Sequence, residues 1–140
     1  MMQTDNDIKD NVYQFLQGSP LKAAVSGEIR KISRSPHSVK EDVIVSVLAN
    51  DNPRQVQEAY VNVNIYVKDV KLTANNEAYY VEDAKRTKVL SRTIADMFKF
   101  AVNGENYRLS LNSQRVVAVE ATHEHVINTR LLYQCVNEYC

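Results

Sequence analysis

The most regular pattern of hydrophobic and polar positions lies between Ala59 and Lys68, where the two kinds alternate strictly. The apolar positions are Ala59, Val61, Val63, Ile65 and Val67. A period of two is typical of a strand with one face in the core and one face outside it. The outer positions carry Asn and Tyr, which suit either water or another protein. We therefore predict that the fold is built around this strand, and that its candidate interface residues are Tyr60, Asn62, Asn64 and Tyr66.

Helical spacing of apolar residues predicts two helices. The first spans residues 5–17, with Thr4 as its N-cap and Asp7 in the capping-box position. A single further turn is predicted over residues 21–25. The second helix spans residues 81–101 and ends before Asn103-Gly104. Its apolar face is formed by Leu90, Ile94, Met97, Phe98 and Ala101.

The other patterned segments predict strands. Besides the alternating strand they cover residues 28–32, 43–49, 107–111, 116–119 and 126–136. The segment 43–49 is apolar on both faces, so we expect it to be buried on both sides, paired with the alternating strand through a turn at 50–53. A bulge is expected near 112–114 and a polar connection over 69–80.

The element order α-β-β-β-α-β-β predicts an α+β fold. Its mostly antiparallel sheet would carry two helices packed on one face. No repeat, low-complexity tract or linker interrupts the chain, so we expect one domain over residues 1–140. An uncovered sheet face or a free edge would then favour oligomerisation.

Charge and targeting features narrow the possible functions. The chain has 17 Lys and Arg against 17 Asp and Glu, so its net charge is zero. This balance disfavours a dedicated nucleic-acid binder and does not oppose self-association. We expect no signal peptide and no membrane span. The cysteines, Cys135 and Cys140, are expected as reduced thiols in a cytoplasmic protein.

Candidate chemistry is sparse. His123 and His125 lie two residues apart, so on a strand they would face one metal, with Glu120 as a possible third ligand. The same residues also suit a polar strand junction. We find no nucleophile elbow and no glycine-rich phosphate loop. We therefore expect no catalytic residues, no cofactor, no bound metal and no small-molecule substrate.

Several segments give the chain a resemblance to a known family. They are Gly18-Ser19-Pro20, Gly27-Glu28-Ile29, Glu41-Asp42-Val43-Ile44-Val45, the stretch from Gln57 to Val67, and His125-Val126-Ile127-Asn128-Thr129-Arg130-Leu131. In these segments and in element order, the chain resembles the small tail-terminator proteins of long-tailed bacteriophages and prophages. These are also named tail-completion or minor tail proteins.

The resemblance implies a structural role in virion assembly. Such a protein caps the tail tube and joins it to the head connector as a homo-oligomeric ring, expected to be hexameric. Its partners would be further copies of itself, the tail-tube protein and the head-tail connector. It would reside in the bacterial cytoplasm during assembly and then in the virion. Two alternatives stay open: a small cytoplasmic binding module that uses a sheet edge, and a metal-binding enzyme at His123 and His125.

Overall fold

The structure, a computed structural model, describes residues 3–51 and 56–136 of the chain. The helices are α1 (Asp5–Gln17), α2 (Pro20–Ala24) and α3 (Ala84–Met97). The strands are β1 (Ile29–Arg30), β2 (Val43–Asp51), β3 (Val56–Lys68), β4 (Val70–Ala74), β5 (Glu77–Val81), β6 (Val102–Asn103), β7 (Tyr107–Val119) and β8 (Glu124–Val136). A short 3-10 turn, Glu120–Thr122, links β7 to β8.

Six of these strands form the main sheet, in the order β1-β2-β3-β8-β7-β6. All neighbours in it are antiparallel except β1 and β2. Strand β3 pairs with β8 along its whole length, from Val56 opposite Val136 to Lys68 opposite Glu124. The predicted α+β class and mostly antiparallel sheet are confirmed, and the alternating segment lies in the middle of that sheet.

Helices α1 and α3 pack against one face of the sheet. The core combines the alternating positions of β3 with Ile8, Val12 and Leu16 of α1, Leu90 and Ile94 of α3, and Ile127, Leu131 and Tyr133 of β8. Fully burying an aliphatic side chain stabilises a fold by about 1.5–3 kcal/mol. The periodicities of β3, α1 and α3 therefore specify the same interior surface.

The first helix begins where the capping pattern predicts. The Thr4 hydroxyl accepts a hydrogen bond from the Asp7 amide at 3.2 Å, and the Asp7 carboxylate accepts one from the Thr4 amide at 2.8 Å. This reciprocal pair satisfies two amide groups that the helix would otherwise leave unpaired. The predicted extra turn is also present, as α2.

The structure corrects three predicted elements. Residues 69–80, expected as a polar connection, form most of the β4–β5 hairpin, which ends at Val81, the residue expected to begin the second helix. Strand β2 is not buried on both faces, because Val43 and Val45 are buried whereas Ile44 and Ser46 are only half-buried and Leu48 is 53% exposed. Helix α3 spans only Ala84–Met97 of the predicted range 81–101. Residues 102–103, where the helix was expected to end, form strand β6.

Two further expectations concern the connections and the cysteines. The bulge expected near 112–114 is present, as a register shift between Leu111 and Ser113. Residues 52–53 of the expected turn and Cys140 lie outside the described residues. Cys135 is buried and disulfide-bonded, so the expectation of a reduced thiol is wrong at this position.

Candidate functional site

The face of the sheet opposite α1 and α3, here named the outer face, carries the four predicted interface residues. Tyr60 is 36% exposed, and Asn62, Asn64 and Tyr66 are half-buried. Their direct neighbours on β8 are Leu132, Arg130, Asn128 and Val126, in that order. The outer face therefore mixes aromatic, amide, aliphatic and cationic groups, a composition found at protein interfaces.

The polar side chains at the centre of the outer face are only partly hydrogen-bonded. The Asn128 amide donates a hydrogen bond to the Asn64 side-chain oxygen at 2.6 Å. In the next pair along, the Asn62 side-chain oxygen and the Arg130 Nε are buried, and neither has a hydrogen-bond partner within the described residues. Buried polar groups without partners are rare and costly in a finished structure. The Asn62 oxygen and the Arg130 Nε are thus the unsatisfied polar atoms at the centre of the outer face.

One end of the outer face is closed by the loop before β2. The Arg34 guanidinium lies 4.4 Å from the centre of the Tyr66 ring. It also forms ion pairs with Asp42 at 3.0 Å and with Glu124 at 2.9 Å, and both carboxylate side chains are only 6% exposed. Burial by itself would raise the pKa of Asp42, but hydrogen bonds from Ser38, the Glu28 amide and Arg34 lower it overall. This end is therefore fixed by internal contacts.

The β4–β5 hairpin, here named the arm (residues 70–81), extends from the end of β3. Its turn residues Asn75 and Asn76 have φ of 52° and 65°. Positive φ at both central residues is the geometry of the tight hairpin turns that asparagine tolerates well. All ten strand residues of the arm are exposed. An isolated two-stranded hairpin is marginally stable in water, so the arm is suited to gain a partner.

The arm has one apolar face. Val70 lies opposite Val81 and Leu72 opposite Tyr79, and paired residues share a face. These four side chains are 38–45% exposed. The opposite face pairs Lys71 with Tyr80 and Thr73 with Ala78. An apolar patch presented on a projecting element marks an interaction site more often than single scattered residues do.

The base of the arm is fixed to the β7–β8 connection by the two histidines found in the sequence. The His123 ring stacks on Tyr80, and its carbonyl accepts a hydrogen bond from the Asp69 amide at 2.9 Å. The His125 Nδ1 lies 2.6 Å from the Asp69 carboxylate, and its Nε2 lies 3.7 Å from Glu82. The arrangement orients the arm relative to the sheet.

The positions of the two histidines also determine whether they could bind one metal ion with Glu120. His123 is in the left-handed region, with φ of 54°, and precedes β8, so it does not share a strand face with His125 as the spacing had suggested. Glu120 and both histidines border one open depression of about 360 Å³. Across residues 3–51 and 56–136, no group of three or more His, Cys, Asp or Glu side chains is arranged to hold a metal ion.

Comparison with known proteins gives a likeness of fold. No family model and no curated protein matches the chain. Among solved structures, a chain from the "Virion of native gene transfer agent (GTA) particle" superposes with a TM-score of 0.59 at 13% identity. The match covers 92% of this chain and 94% of that chain. The two chains share one fold.

Within the part of the chain that the structure describes, none of the helices combines the length and the apolar character needed to cross a bilayer.

Proposed function

We propose that this chain is a structural protein of a phage-like virion. In this role it caps the tail tube and joins it to the head connector. The observation that carries the proposal is the fold shared with a virion chain over nearly the full length of both. The segments that resemble tail-terminator proteins support the same role from the sequence.

The surface features suit assembly. The outer face carries mixed aromatic, amide and cationic groups, and two of its polar atoms have no hydrogen-bond partner among the described residues. The arm holds an exposed apolar face. These two surfaces lie on different elements, so contacts between copies need not be self-complementary. Unlike surfaces meeting head to tail generate rings when the rotation closes. We infer a homo-oligomeric ring, with about six copies as the expected size.

The unpaired edges of the sheet support a second candidate function, that of a binding module. Strands β2 and β7 each have most of one edge unpaired among the described residues, because β1 and β6 cover only two positions each. A binding module could add a peptide strand from another protein there. Such a module would stay monomeric, which separates it from the ring.

Deletion of the gene from the phage or prophage that carries it tests the role directly. Without a cap, tail tubes should vary in length and tailless heads should accumulate, as seen by electron microscopy of purified particles. Supplying the intact gene in trans should restore joined particles of uniform length. Normal particles in the deletion strain would contradict the proposal.

A further inference from the structure

Strand β7 has a long free edge. It pairs with β8 on one side over almost its whole length, but on the other side β6 covers only Arg108 and Leu109. On that side, no strand among the described residues pairs with residues 110–119. Leu111, Val116 and Val117 are 38–41% exposed along this segment. We name residues 110–119 the β7 edge.

The β7 edge lacks most of the features that block pairing with another strand, and its bulge between Leu111 and Ser113 lies near one end. Natural edges are shortened, charged or interrupted by proline. This one spans ten positions, contains no proline, and has Arg115 as its sole charged residue. An edge of this kind readily accepts an added strand.

The arm has properties that complement those of the β7 edge. Its strands pair only with each other in the described sheets, and their five residues extend about 17 Å, shorter than the β7 edge. Its apolar face matches the exposed aliphatic residues of the edge. Its one acidic residue, Glu77, and the edge residue Arg115 are both exposed, and neither forms an ion pair with another described residue. Apolar surface, backbone groups and charge thus correspond on the two elements.

We propose that the arm of one copy pairs with the β7 edge of the next copy and extends its sheet. The occupant is a second copy because both complementary surfaces lie on this chain, whose zero net charge does not oppose close approach. Arm and edge are different surfaces, so the contact is head to tail and can close a ring. This inference rests on the proposed ring-forming function and specifies the contact within it.

Hydrogen exchange of the full-length chain, measured below and above its assembly concentration, tests the contact. Amides of the β7 edge and of the arm should become protected on assembly. Amides in the middle of β3 serve as the internal control, since they are already paired on both sides in one copy. Protection of other segments with continued fast exchange at the edge and arm would overturn the inference.

A pair of arm variants separates the contact from general effects of mutation. Leu72→Asp places a charge on the apolar face of the arm and should raise the assembly concentration at least about tenfold. Thr73→Asp adds the same charge to the other face of the same strand and should change it little. Both residues are exposed, so circular dichroism and thermal unfolding should show that the core is intact in each variant.

Charge exchange supplies a positive readout. Glu77→Arg and Arg115→Glu should each weaken assembly, because each places like charges at the contact. An equimolar mixture of the two variants should assemble, because every arm then meets an edge of opposite charge in an alternating ring. A mixture no better than either variant alone would count against the arm–edge contact.

The outcomes also separate this inference from the proposed function. If the unaltered chain assembles and Leu72→Asp assembles equally well, the arm–edge contact is wrong and the ring stands. If the unaltered chain stays monomeric at every concentration, the ring and the contact fail together. Edge protection that appears only with another virion protein would also overturn the contact between copies.

Discussion

The ring of Tyr80 stacks on the imidazole of His123, with ring centroids 3.7 Å apart and planes inclined by 13°. This contact joins the arm to the connection between β7 and β8, although the two residues lie far apart in the sequence. Together with the contact between Asp69 and His125, it gives the arm a defined direction. A defined direction would favour the proposed assembly, because a freely moving arm would lose conformational entropy on binding.

Tyr80→Leu should loosen the arm and leave the core unchanged. A stacked aromatic pair contributes about 0.5–1.5 kcal/mol beyond its buried area. Amide exchange in β4 and β5 should therefore accelerate several-fold, while exchange in β3 and β8 stays constant. Tyr79→Leu is the matched control, because the Tyr79 side chain lies on the other face of the arm. Equal acceleration in both variants would argue against the stack as an anchor.

Glu41→Gln should destabilise the fold at neutral pH. The Glu41 carboxylate accepts two hydrogen bonds from Arg86, at 2.6 and 2.7 Å, and its side chain is 14% exposed. Losing a hydrogen-bonded charge pair of this kind costs about 1–3 kcal/mol. Urea denaturation measures the loss. Glu28→Gln is the control, because the Glu28–Arg30 pair is exposed and should contribute little.

The same pair predicts a pH dependence. The hydrogen bonds from Arg86 lower the pKa of Glu41 below its ordinary value. A carboxylate with a lowered pKa stabilises the folded state above its unfolded pKa, about 4.3 for glutamate, and this contribution is lost as the pH falls through the lowered folded pKa. The difference in unfolding free energy between the unaltered chain and Glu41→Gln should therefore shrink below about pH 4. A constant difference down to pH 2 would contradict this account.

Two neighbouring asparagines on the outer face should respond differently to alanine. Asn64→Ala removes the hydrogen bond from Asn128 and should cost about 0.5–1.5 kcal/mol in the monomer. Asn62→Ala removes an oxygen that has no hydrogen-bond partner among the described residues, so its cost should be smaller. Denaturant unfolding compares the two variants. A larger loss for Asn62→Ala would show that this residue is satisfied in the isolated chain.

The central strand could be predicted from the sequence because one periodicity decides it. The alternation from Ala59 to Val67 leaves only one face that can be buried, and long-range pairing with β8 does not change that choice. The start of α1 could be predicted for a similar reason, because its Thr4–Asp7 capping box involves only residues that are close in sequence. Such features need no knowledge of the rest of the fold.

The arm is harder to predict from the sequence than the central strand. Apolar residues do alternate with other residues on both sides of the turn, at Val70, Leu72, Tyr79 and Val81. The segment nevertheless has a polar composition, because it also contains Lys71, Asn75, Asn76 and Glu77. The position of β2 next to the short β1 and the left-handed conformation of His123 depend on tertiary pairing, which local pattern does not contain. For this reason the sequence alone presents the histidines as possible ligands, whereas the structure places them at the base of the arm.

The mass of the chain in solution, measured by light scattering behind a sizing column over a wide concentration series, tests the central claim most directly. A ring-forming virion protein should give one discrete assembly, about six times the 16.0 kDa of a single chain, or approach it as concentration rises. A mass of one chain at every concentration would contradict the ring and favour a binding module that uses its free sheet edge.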